Sequence, residues 1–204
     1  MQYKYPVFLL AYLLGALPFG VIAARICGVD IFKVGSGSTG ATNVIRACGK
    51  AWGLAVFTLD VLKGALAAYL GLLVFPPDAA PHNSWLIVLC GLLAMLGHAA
   101  SIFIKFRGGK AAATGLGVAL VLDWRIFIIA GLITLLIRQL SGYQSAASLG
   151  AGLAAVILFW IIPHPLAYQL LATAAVAFVW FKHLPNIQRL LAGTETKITA
   201  RKNG

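Results

Sequence analysis

Residues 52–75 read WGLAVFTLDVLKGALAAYLGLLVF, an apolar run in which the only charged residues are Asp60 and Lys63. The hydrocarbon core of a bilayer is about 30 Å thick, and a helix needs about 20 mostly apolar residues to cross it. The run is therefore typical of a membrane-spanning helix.

The rest of the chain repeats this pattern. The whole chain has 204 residues, of which 61% are hydrophobic and 10% charged, and its mean hydropathy is +0.92. Soluble domains usually carry about 25% charged residues, so the composition excludes a soluble globular protein, a disordered protein and an ordinary nucleic-acid-binding domain. Further apolar segments fall at about residues 5–24, 84–104, 111–122, 124–140, 145–162 and 165–182.

These segments predict an all-α integral membrane protein, a single polytopic domain over residues 1–204 with about seven transmembrane helices. The first segment has no convincing cleavage site and is expected to be retained. Segments 111–122 and 124–140 are shorter than the others, because Asp123-Trp124-Arg125 interrupts them. They are either short tilted spans or a re-entrant hairpin, and both arrangements return the chain to the same side.

The basic residues predict the orientation. One side of the predicted membrane holds Lys4 and Arg125, and Lys63 lies within a span. Basic loops usually face the cytoplasm, which predicts an external N-terminus and a cytoplasmic C-terminus. The cytoplasmic side would then hold the other thirteen basic residues, Arg25, Lys33, Arg46, Lys50, Lys105, Arg107, Lys110, Arg138, Lys182, Arg189, Lys197, Arg201 and Lys202.

The three cysteines, Cys27, Cys48 and Cys90, are widely spaced and form no CxxC pair. They predict neither a disulfide framework nor a metal site. No cofactor is expected.

A first polar motif, GSGSTGATNVIRACGK, occupies residues 35–50. Glycines let a backbone approach an anion closely, and a helix starting near Thr39 would point its positive end at the same place. Arg46 follows within two turns and can bind phosphate through two nitrogens. The alternative is a flexible Gly/Ser linker, which would not require a guanidinium here. The candidate binding residues are Gly35, Ser36, Gly37, Ser38, Gly40, Thr42 and Asn43.

A second motif, KFRGGK, occupies residues 105–110 at the predicted cytoplasmic end of a span. Lys105, Arg107 and Lys110 could simply anchor the helix end at the lipid headgroups. The Gly108-Gly109 pair favours anion binding, because an anchor does not need a bare backbone. It is not a Walker A loop, since Ala111 stands where Ser or Thr is required.

A third motif, HLPNIQRLLAGTETK, occupies residues 183–197. His183 is a candidate for proton transfer near neutral pH, or else an ordinary interfacial histidine. Glu195, the only glutamate, lies among cations and is expected to orient Arg189 or a lysine. Asp60 and Lys63, three residues apart in one span, are expected to neutralise each other as a structural pair.

Three cationic, glycine-rich loops that converge on one side of the membrane predict an anionic, phosphorylated substrate. A transporter or channel for an organic phosphate would use similar loops, but it would also need a polar path through the bilayer. A lipid phosphatase or phosphotransferase would be expected to show a histidine paired with an acid, or an acidic metal cluster, and the sequence suggests neither.

Together the motifs resemble the acyl-phosphate:glycerol-3-phosphate acyltransferase family (PlsY type) of bacterial membranes. The resemblance rests on GSGSTGATNVIRACGK, GHAASIFIKFRGGK, HLPNIQRLLAGTETK, the Asp60-x-x-Lys63-Gly64 stretch and the pattern of spans, and so covers nearly the whole chain. One departure is visible, because the family usually continues Gly-Gly-Lys with another glycine and this chain has Ala111.

The resemblance implies transfer of a fatty acyl group from acyl phosphate to the sn-1 hydroxyl of glycerol-3-phosphate. The products would be 1-acylglycerol-3-phosphate (lysophosphatidic acid) and phosphate, the first step of phospholipid synthesis. The reaction would take place at the cytoplasmic face of the bacterial inner membrane. The implied partners are the two substrates, membrane lipid and the enzyme that supplies acyl phosphate.

The resemblance also suggests roles for the motif residues. Ser36, the Gly35–Gly40 amides and Arg46 would hold the acyl phosphate or its developing oxyanion. His183 and Asn186 would position the attacking hydroxyl, and Glu195 would brace the loop. The base would be His183 or the donor's own phosphate. The glycerol phosphate would be bound by Lys105, Arg107, Gly108, Gly109 and Lys110, with Arg189 nearby.

Overall fold

The computed structural model describes residues 5–198, which form helices and connecting loops with no β-strand in that range. The predicted all-helical class is confirmed. The α-helices are α1 (Pro6–Ala16), α2 (Phe19–Ile26), α3 (Ala41–Cys48), α4 (Lys50–Val74), α5 (Asn83–Ala99), α6 (Ala112–Leu122), α7 (Trp124–Ser141), α8 (Gln144–Ile161), α9 (Leu166–Lys182) and α10 (Leu184–Leu191). Short 3-10 helices occupy Ile31–Lys33, Pro77–Ala79 and Ile102–Ile104.

Each predicted apolar segment contains a helix, but the first is broken. Pro18 separates α1 from α2, because proline has no N–H to continue the helical ladder. Later parts of the chain satisfy the carbonyls that this break frees. Lys63 Nζ donates to the Leu17 oxygen at 3.0 Å, and Ser101 Oγ donates to the Ala16 oxygen at 2.5 Å.

The described helices differ in whether they are long enough to span a membrane. Four segments are long and apolar enough to cross a membrane: Pro6–Ile26, Lys50–Ala79, Trp124–Ser141 and Gln144–Ile161. A fifth is α9 with α10, which are bent by 61° at their junction. The helices α5 and α6 are apolar but shorter. The count of seven spans therefore stays a prediction.

The helices pack closely because glycines lie where they cross. A Cβ on Gly117 of α6 would lie 1.9 Å from the Val61 oxygen of α4, and one on Gly64 would lie 2.1 Å from the Thr114 oxygen. The same relation joins α1 to α5, where a Cβ on Gly15 would lie 2.0 Å from the Ala94 oxygen. Small residues of this kind let helix backbones approach each other in lipid.

A small apolar cluster supports the first polar motif. Val44 of α3 and Val56 of α4 are buried against Ile31, and Val21, Ala23 and Ala24 of α2 complete the cluster. This packing fixes α3 at the end of the bundle to which the second and third motifs also belong.

Candidate functional site

The side chain of Asn43 organises the first motif. It is buried, and its Nδ2 donates to the carbonyl oxygens of Val34 and Ser38, both at 3.0 Å. Its Oδ1 accepts from the Ser36 N–H at 3.1 Å. Gly35 has φ +57, and a Cβ there would lie 2.2 Å from Asn43 Oδ1, so this position requires glycine. Asn43 thus holds the loop in shape.

The loop leads into α3, which begins at Ala41 after Gly40, two residues later than predicted. Arg46 on this helix is exposed, and its Nη2 donates to the Thr196 oxygen of the third motif at 3.0 Å. The first and third motifs are therefore joined directly. The main cavity of the structure is lined by first-motif residues Ser36, Ser38, Gly40, Thr42, Asn43 and Arg46.

The second motif divides between two environments. Lys110 lines the cavity. Lys105 and Arg107 do not belong to the described lining; both are exposed, and the Arg107 guanidinium lies 5.2 Å from the centre of the Phe32 ring.

The two glycines of this motif are required for packing. A Cβ on Gly108 would lie 2.2 Å from the His98 oxygen, and one on Gly109 would lie 2.2 Å from His98 Nε2. The Gly109 N–H donates to the same His98 oxygen at 3.1 Å. The pair thus seats the loop against the end of α5.

Ala111 occupies a backbone conformation that favours glycine. Its φ is +60 and it is buried. The left-handed region costs an L-residue about 1–2 kcal/mol. This geometry gives a physical reason for the glycine that is usual at this position, and the chain adopts the same turn with alanine.

A hydrogen-bonded network centred on Glu195 joins the second and third motifs. Asn186 Oδ1 accepts from Lys110 Nζ, and Asn186 Nδ2 donates to Glu195 Oε1 at 2.7 Å. Ser145 Oγ donates to the same carboxylate oxygen at 3.0 Å, and Arg189 Nε donates to Oε2 at 2.7 Å. Three side chains are thereby fixed around one carboxylate, and Lys110 is linked to it through Asn186.

The same neighbours shift two pKa values. Burial raises the pKa of Glu195, but the hydrogen bonds from Asn186, Arg189 and Ser145 outweigh it and hold the pKa below its usual value. Burial lowers the pKa of Lys110 to about 8; Glu195 opposes the shift, and nearby arginines add to it. Lys110 is therefore a cation that neutralises easily, beside a carboxylate that stays ionised.

His183 lies at the junction of α9 and α10 and is buried. Its Nδ1 is 2.8 Å from the carbonyl oxygen of Val179. Because a carbonyl oxygen can only accept, Nδ1 carries the proton and Nε2 is left as an acceptor. Burial, and then the charge of Lys110, lower the pKa of His183 to about 4. The imidazole is therefore neutral at physiological pH.

A cavity of about 720 Å³ brings these groups together with apolar side chains of the helical bundle. Its polar end holds Lys110, His183, Asn186 and Glu195 with the first-motif residues, and its other end is apolar. The apolar lining comes from several helices and includes Leu116, Leu122, Phe127, Phe159, Leu171 and Val176.

Asp60 and Lys63 are buried, and their charged atoms lie 2.8 Å apart. His98 Nδ1 lies 3.4 Å from the same Asp60 oxygen. The sequence analysis did not foresee this histidine–acid pair, which corrects the expectation that none is present. His98 and Asp60 both line the cavity described above, and a Cβ on Gly109 would lie 2.2 Å from His98 Nε2.

Sequence reasoning missed several residues that line the cavity. Ser145 lies 50 residues from Glu195 in sequence. The available signal was the polar composition at the end of α7 and the start of α8, where Arg138, Gln144, Ser145 and Ser148 interrupt apolar segments. All four line the cavity. Among the described residues no group of three or more His, Cys, Asp or Glu side chains could hold a metal ion.

Fold and site together define a class: an all-helical membrane protein in which a cationic pocket with a neutral histidine opens into an apolar cavity. The chain matches the family described as glycerol-3-phosphate acyltransferase over residues 5–193. A glycerol-3-phosphate acyltransferase of Acaryochloris marina is 40% identical over 206 residues, covering 95% of this chain and 92% of the relative. The chain therefore belongs to the glycerol-3-phosphate acyltransferase family, and it is an acyltransferase.

Two crystal structures have the same fold. Both are of PlsY (YgiH), an integral membrane glycerol 3-phosphate acyltransferase. The glycerol 3-phosphate form is 37% identical with a TM-score of 0.90, and the lysophosphatidic acid form is 36% identical with a TM-score of 0.88. Each match covers 96% of this chain and 95% of the other. This chain is accordingly an integral membrane protein.

Proposed function

We propose that the protein transfers a fatty acyl group from acyl phosphate to the sn-1 hydroxyl of glycerol-3-phosphate. The products are 1-acylglycerol-3-phosphate and inorganic phosphate. The observation that carries the proposal is the cavity, which has a cationic end with a neutral histidine and an apolar end within the helical bundle. Such a cavity suits one phosphorylated polar substrate and one phosphorylated lipid.

Lys110 and Arg46 are the cations that bind the substrate phosphates. Both line the cavity, and both are linked to the third motif, Lys110 through Asn186 and Arg46 through Thr196. The Ser36 hydroxyl, on a residue that lines the cavity, adds a donor. The amides of Ser36, Gly37 and Gly40 already donate within the loop and are not assigned to the substrate. We assign no phosphate contact to Lys105 or Arg107, because both side chains are exposed outside the cavity lining.

The chemistry requires no covalent enzyme intermediate. The sn-1 oxygen attacks the carbonyl carbon of the acyl phosphate, and the new C–O ester bond forms as the bond between that carbon and the phosphate oxygen breaks. The phosphate leaves with the electron pair of the broken bond. Ser36 and Arg46 stabilise the oxyanion that develops on the carbonyl.

His183 orients the attacking hydroxyl through Nε2, and Asn186 and Glu195 position the loop around it. With a pKa of about 4, His183 is a weak base. The phosphate of the donor gains a further negative charge as its bond to the acyl carbon breaks, so its basicity rises during the reaction. The departing phosphate is thus the better acceptor, and we assign it the hydroxyl proton.

A transporter for organic phosphates is the rival function. It requires polar groups along a path through the bilayer. The half of the cavity away from His183 is lined by apolar side chains such as Phe159, Leu171 and Val176, which favours a lipid substrate over a polar path.

We further propose that the protein lies in the bacterial inner membrane with seven spans, an external N-terminus and the site facing the cytoplasm. The basic side of the chain supports this orientation. An enzyme that forms acyl phosphate must supply the donor.

The test is an acyl-transfer assay with purified protein in detergent. Palmitoyl phosphate, palmitoyl-CoA and palmitoyl-acyl carrier protein are compared as donors, with glycerol-3-phosphate as acceptor. We expect acceptor-dependent phosphate release and lysophosphatidic acid from palmitoyl phosphate only. His183→Ala should lower kcat far more than it raises KM for glycerol-3-phosphate.

The assay tests the proposed donor and the proposed function separately. Transfer from the thioesters only would overturn the acyl-phosphate donor. If folded protein forms no lysophosphatidic acid from any donor, the loops are a binding site, and the transporter becomes the better explanation.

A further inference from the structure

The apolar part of the cavity runs deep into the bundle. On α9 the lining residues are Leu171, Ala172, Ala175, Val176 and Val179, which follow one face of the helix to His183. From residue 183 to residue 171 is 12 positions, or about 18 Å at 1.5 Å per residue. A long chain attached to a carbonyl near His183 would therefore extend toward Leu171.

Small residues of the neighbouring helices leave the space for such a chain. Ala119 of α6 and Ala151 and Gly152 of α8 line the cavity together with these α9 residues. Larger side chains at these positions would fill the same volume. This part of the lining is therefore apolar, and its width depends on these small residues.

Phe159 of α8 closes the far end. It lines the cavity and is only 3% exposed. It packs in one buried cluster with Leu171, Ala172 and Val118, and its ring centre is 5.1 Å from that of His164. His164 Nε2 in turn lies 3.2 Å from Asp123 Oδ2. Because Phe159 is packed on several sides, its ring cannot easily move aside for a longer acyl chain.

We propose that Phe159, with Ala172 beside it, limits the length of the acyl chain that the enzyme transfers. This inference rests on the proposed function, since it requires a fatty acyl donor. A hydrophobic pocket distinguishes chains that differ by a methylene by about 10- to 200-fold. Chains that reach Phe159 are therefore transferred, and chains that would extend beyond it are disfavoured.

The cavity also has a side that faces the lipid. Leu54 and Phe57 of α4 and Leu132 and Leu135 of α7 line it and are exposed. If the acyl chain of the donor left the protein between these helices, its end would lie in the bilayer and the length of the acyl chain would matter little. The buried lining residues Leu171, Ala172 and Val179 of α9 favour the path inside the bundle, and the two paths predict different results.

The experiment measures kcat/KM for lauroyl, myristoyl, palmitoyl and stearoyl phosphate with each variant. Phe159→Leu and Phe159→Ala lengthen the cavity, and Ala172→Leu shortens it. Ala177→Leu and Phe181→Ala are matched controls, because Ala177 and Phe181 are exposed residues of α9 outside the described lining. Ratios between donors are compared within one preparation, so loss of folded protein cancels.

We expect the ratio of stearoyl to palmitoyl transfer to rise about tenfold or more in Phe159→Ala, with a smaller rise in Phe159→Leu. Ala172→Leu should lower the ratio of palmitoyl to lauroyl transfer by a similar factor, and the controls should keep the wild-type ratios. Unchanged ratios in active Phe159→Leu and Ala172→Leu variants would overturn the chain-length limit and support the lipid-facing path. If the wild-type protein transfers no acyl group from any acyl phosphate, the proposed function fails, and the chain-length limit fails with it.

Discussion

Lys110 is a charged residue in surroundings that disfavour its charge. Burial and the neighbouring arginines lower its pKa to about 8, although Glu195 acts in the opposite direction. In the free enzyme the ammonium is therefore present below pH 8 and lost above it. Because we assign Lys110 to phosphate binding, this titration should appear in catalysis.

We expect kcat/KM for glycerol-3-phosphate to fall as the pH rises through about 8, since this parameter reports the ionisation of the free enzyme. The Lys110→Arg variant should lose this fall, because a guanidinium remains charged. The assay is run at about pH 7 to 10, where the substrate phosphate is already a dianion. Chemical breakdown of the donor affects both proteins equally. An identical fall in the two proteins would remove Lys110 from phosphate binding.

Residue types and spacing were enough to select Lys110, His183, Asn186 and Glu195 as candidates. They could not separate Lys110 from Lys105 and Arg107, because the direction of that loop depends on three left-handed residues, Lys105, Phe106 and Ala111. They also gave no sign that Gly108 and Gly109 pack against His98, since that contact depends on where α5 ends.

The contact between α4 and α6 sets the position of two cavity-lining residues, because α4 carries Asp60 and α6 begins two residues after Lys110. The two helices meet at Gly64 and Gly117, where each backbone lies against the other. A methyl group at either position has no space unless the helices separate.

Gly117→Ala should therefore destabilise the protein by about 1–3 kcal/mol, the usual cost of overpacking. Gly131→Ala is the stability control, because it is also a helix-interior substitution but nothing lies within 4 Å of the added Cβ. The measurement is thermal unfolding in detergent. Equal melting temperatures for the two variants would mean that α4 and α6 are not tightly packed in solution.

For the helices, hydropathy identified the apolar segments and the break at Asp123. In the structure Asp123 caps the start of α7 by accepting from the Arg125 N–H. Hydropathy missed the break at Pro18, where the apolar run continues without a polar signal. It also placed the end of the third segment at 104, whereas α5 ends at Ala99 and a turn of 3-10 helix follows.

The distribution of charge over the whole molecule supports the proposed orientation in the membrane, with the site facing the cytoplasm. Asp78 lies in the connection between α4 and α5, and Lys105 lies in the connection between α5 and α6. Both are exposed. If α5 spans the membrane, these two residues lie on opposite sides of it.

In a variant without Cys27, Cys48 and Cys90, Asp78→Cys should react with an impermeant maleimide in intact cells. Lys105→Cys should react only after the membrane is opened, because the positive-inside rule puts that loop in the cytoplasm. Retained acyl transfer by the cysteine-free protein is the control. Reversed labelling would invert the proposed topology, and labelling of both residues in intact cells would mean that α5 does not span.

The break at Pro18 also bears on the order in which the protein is assembled. The carbonyl of Leu17 receives its donor from Lys63, and that of Ala16 from Ser101, 46 and 85 residues later in the chain. During synthesis the first helices enter the bilayer long before either donor exists. Until then these carbonyls need water or lipid headgroups, so the first helices settle into place only when the third apolar segment arrives. Insertion of this chain is thus a joint event of several helices rather than a series of independent ones.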